Sequence, residues 1–544
     1  MSDSIKYQFN NPIINTLTCI ESIDKKHENS QIREGEAYGI DLGTTFSCIA
    51  IVDSNGNPKV ISNSDGESIT SSVVAFPPKG RTLVGNSAKK MLLNNDEPNA
   101  YCIKCIKRRM GEDDTLTING NDYLPEDISA EILKRLVIDA NTSIGKSIKD
   151  VVITVPAYFG YKERTATKKA GEMAGLRVQR LISEPTAAAI GYVKEHCVNA
   201  RENRIIMIYD LGGGTFDVSI VEICGTSVRV LAVDGDQHLG GEDWNERLKE
   251  YVISEFQKIT NCNKKSIETD PTYEEIDSNV EAAKRLLTNL MVASVDISAN
   301  DITKKIEVSV EKFEKLTRDL LQITKYRVED TIKSACQKLK RQYGFSIIDD
   351  VVLVGGSSNM RQVKELFKKE FRINPNLYEP ELIVAKGAAI VAQQITSMRN
   401  DELKDVSSKT YGVGAIDNEG DGEFKISNIL FRNSEIPATK KKRYVTLMDN
   451  QQEIEIEVYE SNAVVPENFI YIEDGKLIDN YTFKLPSSLP KDSPIFITME
   501  LDENQILKLT AKDMTKGETI ERIIYLEPAP KLGSKKDVPI KDGR

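Results

Sequence analysis

Two short segments of the chain combine an aspartate with glycines and threonines, directly after a predicted strand. The first spans residues 39–46 (GIDLGTTF) and the second spans residues 210–217 (DLGGGTFD). Glycines let backbone N–H groups approach phosphate oxygens, since no Cβ intervenes, and threonine hydroxyls add donors. An aspartate at a strand end can hold Mg²⁺ through its waters. The two segments therefore predict a metal–phosphate site surrounded by Asp41, Asp210 and Asp217.

Either segment alone would also be typical of a tight hairpin turn capped by Asp and Thr. Two matched copies favour the ligand site, and they suggest two related half-domains that face each other across a cleft. The site is not a Walker-type phosphate loop. Residues 145–147 (GKS) resemble the end of such a loop, but Ala140 stands where its first glycine is required.

The elements that must position these residues follow from the apolar pattern. Short continuous apolar runs predict strands covered on both faces, and they occur at residues 151–155, 205–208 and 351–354. Helical spacing predicts helices at residues 162–176, 278–292 and 310–340. Alternating strands and helices indicate an α/β domain over residues 36–399.

The pattern changes at about residue 410. Residues 453–458 and 495–501 alternate apolar and polar side chains, which predicts half-buried antiparallel strands. This indicates a small all-β domain over 409–526, joined to the α/β domain by a linker over 400–408. The remaining segments are interpreted as a mobile N-terminal extension at 1–35 and a disordered tail at 527–544.

Composition and charge narrow the function classes. The chain of 544 residues has a net charge of -11, which disfavours general binding to nucleic acid or to anionic membranes. Its 8 cysteines are scattered along the chain and show no disulfide spacing pattern, which is typical of a protein in a reducing compartment. No apolar run is long enough for a membrane span, and the first residues lack a secretory signal. We therefore expect a cytoplasmic protein.

Six sequence motifs match those of one protein family and occur in the same order. They are residues 39–45, 151–159 (VVITVPAYF), 182–189 (ISEPTAAA), 210–219 (DLGGGTFDVS), 240–243 (GGED) and 354–358 (VGGSS). Across about residues 36–526 the chain resembles the DnaK-type heat-shock chaperones, the heat shock protein 70 family, which act in protein folding and the stress response. Actins and sugar kinases share the two phosphate turns but not the intervening segments. The resemblance implies an α/β two-lobed actin-like ATPase domain followed by a small all-β sandwich domain.

The same resemblance implies ATP or ADP as the ligand, with Mg²⁺ and with K⁺ as a candidate second ion. Hydrolysis would use Lys107, Glu184, Asp210, Thr215 and Asp217. Mg²⁺ would be held through waters by Asp41, Glu184 and Asp210. The nucleotide would be bound by Asp41, Gly43, Thr44, Thr45, Phe46, Gly212, Gly213, Gly214, Gly240, Gly241, Glu281, Lys284, Arg285, Thr288, Gly355, Gly356, Ser357, Asn359 and Glu381. Without the resemblance, the helix face that carries Glu281, Lys284 and Arg285 would be interpreted as a solvated charged surface.

The β-domain would bind extended hydrophobic segments of unfolded or nascent polypeptides. The side chains implied by the resemblance are Ile416, Val445, Met448, Ile454 and Ile456, with plain sandwich core as the alternative for each. A J-domain co-chaperone and a nucleotide-exchange factor are the implied partners. Pro156 and Arg164 match positions that relay nucleotide state, and Arg180 matches a position that touches J-domain proteins.

The sequence departs from the family at three places. The linker contains Asp401, Glu402 and Lys404 where leucines or valines are usual, so we expect it to dock weakly. The chain ends 18 residues after Leu526, so no helical lid is expected. Asn359 stands where an arginine often stacks on adenine, a loss of about 0.5–2 kcal/mol of cation–π energy.

These features leave two hypotheses about the function of the protein. The first is an ATP-hydrolysing chaperone that holds short peptides. The second is an ATP-binding but weakly cycling relative that acts as a co-chaperone or ribosome-associated scaffold. The intact set of hydrolysis residues favours the first, and the polar linker favours the second. A filament-forming, actin-like protein is disfavoured by the β-domain.

Overall fold

The computed structural model describes most of the chain. The described residues are 37–94, 100–196, 203–225, 227–268, 273–397, 403–417, 422–465, 467–514 and 524–525. The predicted N-terminal extension and C-terminal tail lie outside the described residues, as do Asp401 and Glu402 of the linker.

The first α/β half spans residues 37–196. Its strands are β1 (Tyr38–Asp41), β2 (Phe46–Val52), β3 (Pro58–Ile61), β4 (Thr70–Ser71), β5 (Val74–Phe76), β6 (Leu83–Val84), β7 (Tyr101–Ile103), β8 (Leu116–Ile118), β9 (Asn121–Tyr123), β10 (Asp150–Val155) and β11 (Arg177–Ser183). Its helices are α1 (Asn86–Asn94), α2 (Pro125–Ile144), α3 (Tyr161–Met173) and α4 (Glu184–His196). The main sheet has the order β11-β10-β1-β2-β3, with β4 paired to β2.

The second α/β half spans residues 203–397. Its strands are β12 (Asn203–Leu211), β13 (Phe216–Cys224), β14 (Ser227–Asp236), β15 (Val292–Ala299), β16 (Ile302–Ser309), β17 (Asp350–Val354) and β18 (Asn376–Leu377). Its helices are α5 (Gly241–Thr260), α6 (Lys264–Glu268), α7 (Tyr273–Leu286), α8 (Val310–Leu316), α9 (Arg318–Leu339), α10 (Arg361–Leu366) and α11 (Ile383–Thr396). The core of its sheet has the order β18-β17-β12-β13-β14.

Three strands pair in the same way in both halves. β1 runs parallel to β10 and antiparallel to β2, and β12 likewise runs parallel to β17 and antiparallel to β13. Asp41 ends β1, and Asp210 lies one residue from the end of β12. Each half therefore places an aspartate at or near the end of a strand that has one parallel and one antiparallel neighbour.

Glycine permits the close packing that joins the halves. A Cβ added to Gly39 would lie 2.1 Å from the backbone nitrogen of Ala389, so α11 rests directly on β1. A Cβ on Gly387 would lie 1.8 Å from the carbonyl oxygen of Ala187, which brings α11 equally close to α4. These contacts cover the sheet of the first half with a helix that comes from the end of the second.

One predicted helix is wrong at its C-terminal end. The sequence predicts a helix over 278–292, whereas α7 ends at Leu286 and Val292 already begins β15. The residues of β15 alternate between buried and less buried positions and pair with β16, so strand pairing overrides the local helical spacing. The predicted helix over 310–340 is divided at Thr317 into α8 and α9.

The third unit is the β-domain. Its first strands are β20 (Thr410–Ile416), β21 (Phe424–Leu430), β22 (Glu435–Ile436), β23 (Ala438–Val445) and β24 (Gln451–Ser461). They are followed by β25 (Phe469–Ile470), β26 (Gly475–Leu489), β27 (Pro494–Leu501), β28 (Leu507–Asp513) and β29 (Ile524–Tyr525), numbered after the linker strand β19 (Leu403–Val406). Two sheets form, with the orders β25-β21-β20-β24-β26 and β23-β27-β28-β29. Val413, Phe483 and Ile497 belong to one buried core that both sheets share.

The linker docks on the α/β domain. β19 runs parallel to β14 and pairs antiparallel with β22, so it extends the sheet of the second half towards the β-domain. Ser408 follows β19 and donates from both its backbone nitrogen and its hydroxyl to Gln505 Oε1, at 3.0 Å each. The expectation of weak docking counted only apolar side-chain area. Backbone pairing does not depend on that area, so the polar linker is held by the sheet edge instead.

No helix among the described residues combines the length and the apolar character required to cross a membrane.

Candidate functional site

The two phosphate turns meet at a cleft between the α/β halves. The cleft has a volume of about 310 Å³ and is lined by residues of both halves. A Cβ on Gly213 would lie 1.9 Å from Thr45 Oγ1, and a Cβ on Gly214 would lie 2.4 Å from Thr44 Cγ2. The turns therefore approach each other more closely than any residue with a side chain would allow. Thr45 Oγ1 is buried and has no hydrogen-bond partner among the described residues.

Four carboxyl groups gather at the base of the cleft. Asp41 ends β1, Glu184 begins α4, and Asp210 and Asp217 lie on the neighbouring strands β12 and β13. Glu184, Asp210 and Asp217 are buried, and Asp41 is half-buried. Asp41 accepts a hydrogen bond of 3.0 Å from Thr154 Oγ1, and Asp217 accepts one of 3.1 Å from the backbone nitrogen of Tyr158.

Burial and mutual repulsion raise the pKa values of the three aspartates of this group. Burial, and then the charge of Glu184, raise the pKa of Asp41 to about 7. The same two causes raise the pKa of Asp217 to about 8. Burial, followed by Glu184 and Asp217, raises the pKa of Asp210 well above its usual value. The cluster is thus poised to release protons when a cation binds beside it.

One lysine stands among these acids. Lys107 lies in a 3₁₀ turn over Ile106–Arg109, and its Nζ forms a buried ion pair with Glu184. Burial by itself lowers the pKa of Lys107, but Glu184 and Asp41 outweigh burial and leave the pKa raised. The lysine therefore stays charged, and it is placed to face an anionic ligand in the cleft.

The donor set fits a hydrated Mg²⁺ bound to phosphate. Four carboxyl groups, three of them buried, face a single described ammonium group, so a divalent cation at the base of the cleft would be offset by the negative charge that these acids gain as they release protons. Carboxylate oxygens are the protein ligands that Mg²⁺ prefers, and it keeps several of its waters. The unpartnered Thr45 hydroxyl and the glycine backbone of the turns supply the donors that phosphate oxygens require.

The opposite wall of the cleft comes from α7 and α5. Lys284 Nζ donates to the carbonyl oxygen of Gly241 at 2.9 Å, and its pKa is lowered by burial, which Glu281 partly offsets. Arg285 forms an ion pair of 2.8 Å with Glu281, and its guanidinium lies 5.6 Å from the ring centroid of Phe46. The charged face of α7 is therefore part of the cleft wall rather than a free solvated surface.

Most of the predicted nucleotide residues line this cleft. They are Asp41, Gly43, Thr44, Thr45, Phe46, Lys107, Glu184, Asp210, Gly212, Gly213, Thr215, Glu281, Lys284, Arg285, Thr288, Gly355, Gly356, Ser357, Asn359 and Glu381. Gly214, Gly240 and Gly241 lie behind the surface and allow close packing, since a Cβ on Gly240 would lie 2.5 Å from the nitrogen of Gly214. Asp217 is buried behind the lining.

Sequence reasoning missed several residues of the cleft wall. The structure adds Glu242, Asn289, Val354, Met360, Pro380 and Val384. Glu242 directly follows the Gly240-Gly241 pair, so that motif could have pointed to it. The others lie next to or within one helical turn of predicted residues, but their side chains carry no chemical group that points to a ligand. Asn359 donates to the carbonyl oxygen of Gly356 at 3.0 Å, which ties its side chain back to its own turn.

The predicted peptide residues divide into two groups. Met448 is 61% exposed, and Ile416, Val445 and Ile454 are partly buried near the strand ends of the β-domain. Ile456 is only 2% exposed and packs in the core that both sheets share. In this arrangement Ile456 stabilises the domain and offers no surface to a peptide.

The residues expected to relay nucleotide state lie at the domain boundary. Arg164 is fully buried and donates to the carbonyl oxygen of Phe159 at 3.0 Å. The same oxygen accepts a hydrogen bond of 3.0 Å from Ser408 Oγ, directly after the linker strand. Burial raises the pKa of Asp405, and Arg164 and Arg180 partly oppose this increase. Asp405 of the linker strand thus interacts electrostatically with both arginines that match the family positions.

Comparison with known proteins agrees with this geometry. The profile of the Hsp70 protein family matches residues 37–538. The chain is 37% identical over 500 residues to the chaperone protein DnaK of Thermotoga neapolitana, which covers 89% of this chain and 80% of that protein. It is 37% identical over 501 residues to DnaK of Thermosipho africanus, covering 89% of this chain and 79% of the relative. For DnaK of Guillardia theta the identity is 35% over 532 residues, covering 92% and 80%.

Proposed function

Because the chain belongs to the Hsp70 family, we propose that its cleft binds Mg·ATP through the two phosphate turns and that Lys107 drives hydrolysis there. The protein is an ATP-dependent molecular chaperone and an ATPase. The finer architecture in this proposal is an actin-like pair of lobes followed by a peptide-binding β-sandwich. The single observation on which the proposed site depends is a buried lysine surrounded by four carboxyl groups. These groups lie at the base of the cleft, beneath the two phosphate turns.

Each part of the cleft then has a defined task. Thr44, Thr45 and Thr215 donate hydroxyl hydrogen bonds to phosphate oxygens, and the glycines donate from the backbone. Asp41, Glu184 and Asp210 would hold Mg²⁺ through its waters. When bound, Mg²⁺ would neutralise charge on the phosphates while the γ-phosphoryl group is transferred to water and ADP leaves.

Lys107 and the buried acids position the attacking water. The lysine ammonium donates to the γ-phosphate and to the water, so it stabilises negative charge on the phosphoryl oxygens as the water oxygen bonds to phosphorus and the bond to the ADP oxygen breaks. A buried carboxylate of the cluster takes the proton that the water loses. Glu184 holds the lysine in place through their ion pair. Asp217 accepts a hydrogen bond from the backbone nitrogen of Tyr158. Burial and the charge of Glu184 raise its pKa to about 8, so the ionisation of each of these two acids affects the other.

The β-domain supplies the client site in this proposal. Ile416, Val445, Met448 and Ile454 present apolar side chains to an extended peptide, whose backbone pairs with the strand ends. Unfolded polypeptides are the client class. A J-domain protein that contacts Arg180, a nucleotide-exchange factor, a cytoplasmic location and a K⁺ ion in the cleft belong to the same proposal.

The alternative of a weakly cycling scaffold is not favoured. Its main support was the polar linker, but β19 is docked by backbone pairing and links the β-domain to the sheet edge. Single-turnover hydrolysis of ATP, with and without a hydrophobic peptide, tests the proposal directly. We expect Mg²⁺-dependent turnover that the peptide stimulates. Tight ATP binding with no turnover in either condition would instead support the scaffold.

A further inference from the structure

One edge strand of the β-domain contains four consecutive basic residues. β23 includes Lys440, Lys441, Lys442 and Arg443, in a chain whose net charge is -11. It is the outermost strand in the order β23-β27-β28-β29, and it pairs with β27 along its whole length of 8 residues. The N–H and C=O groups on the far side of an edge strand can pair with a further strand.

The strand register places further cations on the same side of the sheet. Arg443 lies opposite Phe496 of β27, and Phe496 lies opposite Lys512 of β28. Lys441 is two positions from Arg443 and therefore points to the same side. Ile497, which follows Phe496, is buried in the core, so this side is the outer face of the sandwich. We call Lys441, Arg443, Lys508 and Lys512, which all point outward by this alternation, the basic face.

Little negative charge offsets the basic face. Glu500 is the one acidic side chain on this side of the sheet among the residues that the structure describes, and it pairs with Lys508 at 3.1 Å. The other three members of the basic face form no ion pair within the described part of the chain. Two of them, Lys441 and Arg443, are exposed. The outer face therefore keeps an excess of positive charge that is open to a partner.

Lysines on an edge strand also have a protective role, because they discourage pairing with strands of other molecules. That role explains the basic residues of β23, but it does not explain Lys512. This lysine lies on β28, which is inside the sheet between β27 and β29 and has no edge to protect. A row of cations repels a basic strand and attracts an acidic one, so protection from most strands is compatible with binding of one class.

We propose that the free edge of β23 binds an extended acidic segment of a partner polypeptide, which joins the sheet as a further strand. The backbone of such a segment pairs with β23, and its side chains lie about 5 Å from those of β23. Lys441 and Arg443 are two positions apart on the outer face, so they match carboxylates at alternate positions of the segment. This surface is additional to the proposed client residues, of which Val445 ends β23 and Met448 follows it.

The surface fits a polypeptide better than a nucleic acid. Only a strand matches the donors and acceptors along a sheet edge. A single-stranded nucleic acid needs aromatic rings on which its bases stack, but Phe496 is only partly exposed and has the Lys441 ammonium 4.0 Å from its ring centroid. The net charge of -11 also repels a long polyanion, whereas a short acidic segment meets only the basic face.

Fluorescence anisotropy tests this proposal on the full chain without nucleotide. The probe is a labelled peptide of 8 residues, the length of β23, in which Glu and Thr alternate. One side of the extended probe then carries all of its carboxylates, and matched probes replace Glu by Gln or by Lys. We expect the Glu probe to bind at least about tenfold more tightly than the Gln probe, and the Lys probe not to bind. Because the basic face is exposed, affinity for the Glu probe should fall with added salt.

Variants of the chain locate the binding surface. Lys441→Glu combined with Arg443→Glu should weaken binding of the Glu probe by about tenfold or more. The same two positions changed to Gln should give a smaller loss, in a chain whose surface charge is removed but not reversed. Lys484→Glu changes an exposed lysine on β26 of the other sheet and should leave binding unchanged.

Methylation of the probe backbone separates strand addition from simple charge attraction. Methyl groups on every second nitrogen keep all the carboxylates. One of the two alternate sets of nitrogens faces β23, and its methylation should abolish binding, whereas methylation of the other set should not. Binding of the unmethylated probe should also protect backbone amides of β23 from hydrogen exchange.

Four outcomes would overturn the proposal. The Glu and Gln probes binding equally would remove the role of charge. The doubly charge-reversed variant binding the Glu probe as the unmodified chain does would place binding elsewhere. Both methylated probes binding as tightly as the parent would show charge attraction without strand addition. A single-stranded oligonucleotide of matched length binding more tightly than the Glu probe would assign the basic face to nucleic acid.

Discussion

Replacement of Lys107 by methionine probes the centre of the proposed chemistry. Methionine keeps the length and the apolar stem of the lysine but removes the ammonium group that pairs with Glu184. Since both partners are buried, the structure predicts separate effects on stability and on hydrolysis. Arg109 lies in the same 3₁₀ turn and pairs with Glu112 near the surface, so Arg109→Met is the matched control.

The stability effect can be worked out from the carboxyl groups. Removing one partner of a buried ion pair costs about 3–5 kcal/mol when the other stays charged. Here the acids can take up a proton instead, because the pKa of Asp41 is about 7 and that of Asp217 is about 8 even with Lys107 present. We therefore expect a loss of about 1–3 kcal/mol at pH 7.

The sign of the pH dependence follows from the same shifts. Acids whose folded-state pKa is raised contribute stability below their unfolded pKa of 3.8, and they lose it as the pH rises through 7 and 8. Without Lys107, which lowers both pKa values, this loss extends further. Thermal unfolding without nucleotide should show Lys107→Met losing more stability between pH 6 and pH 8 than the unmodified chain.

The hydrolysis effect should be larger than the binding effect. One preorganised charge or donor at a developing negative charge is worth about 10²–10³ in rate. Single-turnover hydrolysis should therefore slow by about 100-fold or more, while calorimetry shows Mg·ATP affinity changed by less than about tenfold. Arg109→Met should retain both. Equal single-turnover rates, or losses of affinity and rate of the same size, would refute the role assigned to Lys107.

Further substitutions test the rest of the molecule. Asp210→Asn should sharply lower Mg²⁺-dependent ATP affinity or turnover, and unchanged binding and turnover in calorimetric and kinetic assays would contradict its metal role. Gly355→Ala should lower stability by about 1–3 kcal/mol in chemical unfolding, since φ is +80° there and a Cβ would lie 2.4 Å from the Leu211 carbonyl oxygen. Met448→Asp should weaken binding of a fluorescent hydrophobic peptide, whereas Leu477→Asp, which changes an exposed leucine on β26, should not. If both variants give the same anisotropy curve as the unmodified chain, Met448 is not part of the client site.

The sequence alone determined the phosphate turns and their pairing. An aspartate, glycines and threonines after a buried strand predict a phosphate turn, and their repetition predicted two related half-domains that face each other across a cleft. The family motifs identified Lys107 and Glu184, but nothing in their spacing showed that the two side chains pair. That contact joins a 3₁₀ turn to the start of α4 within the first half, over 77 positions of sequence, and local pattern does not encode such distances.

Only the tertiary structure decided how the linker is held and which apolar residues are accessible. Side-chain polarity predicted weak docking of residues 403–406, yet a sheet edge binds backbone groups whatever the side chains are. Ile456 and Met448 have the same apolar character in sequence, and burial alone assigns one to the core and the other to the surface. Glu163 and Glu460 lie almost three hundred positions apart, and their charges interact only because the two domains exclude water between them.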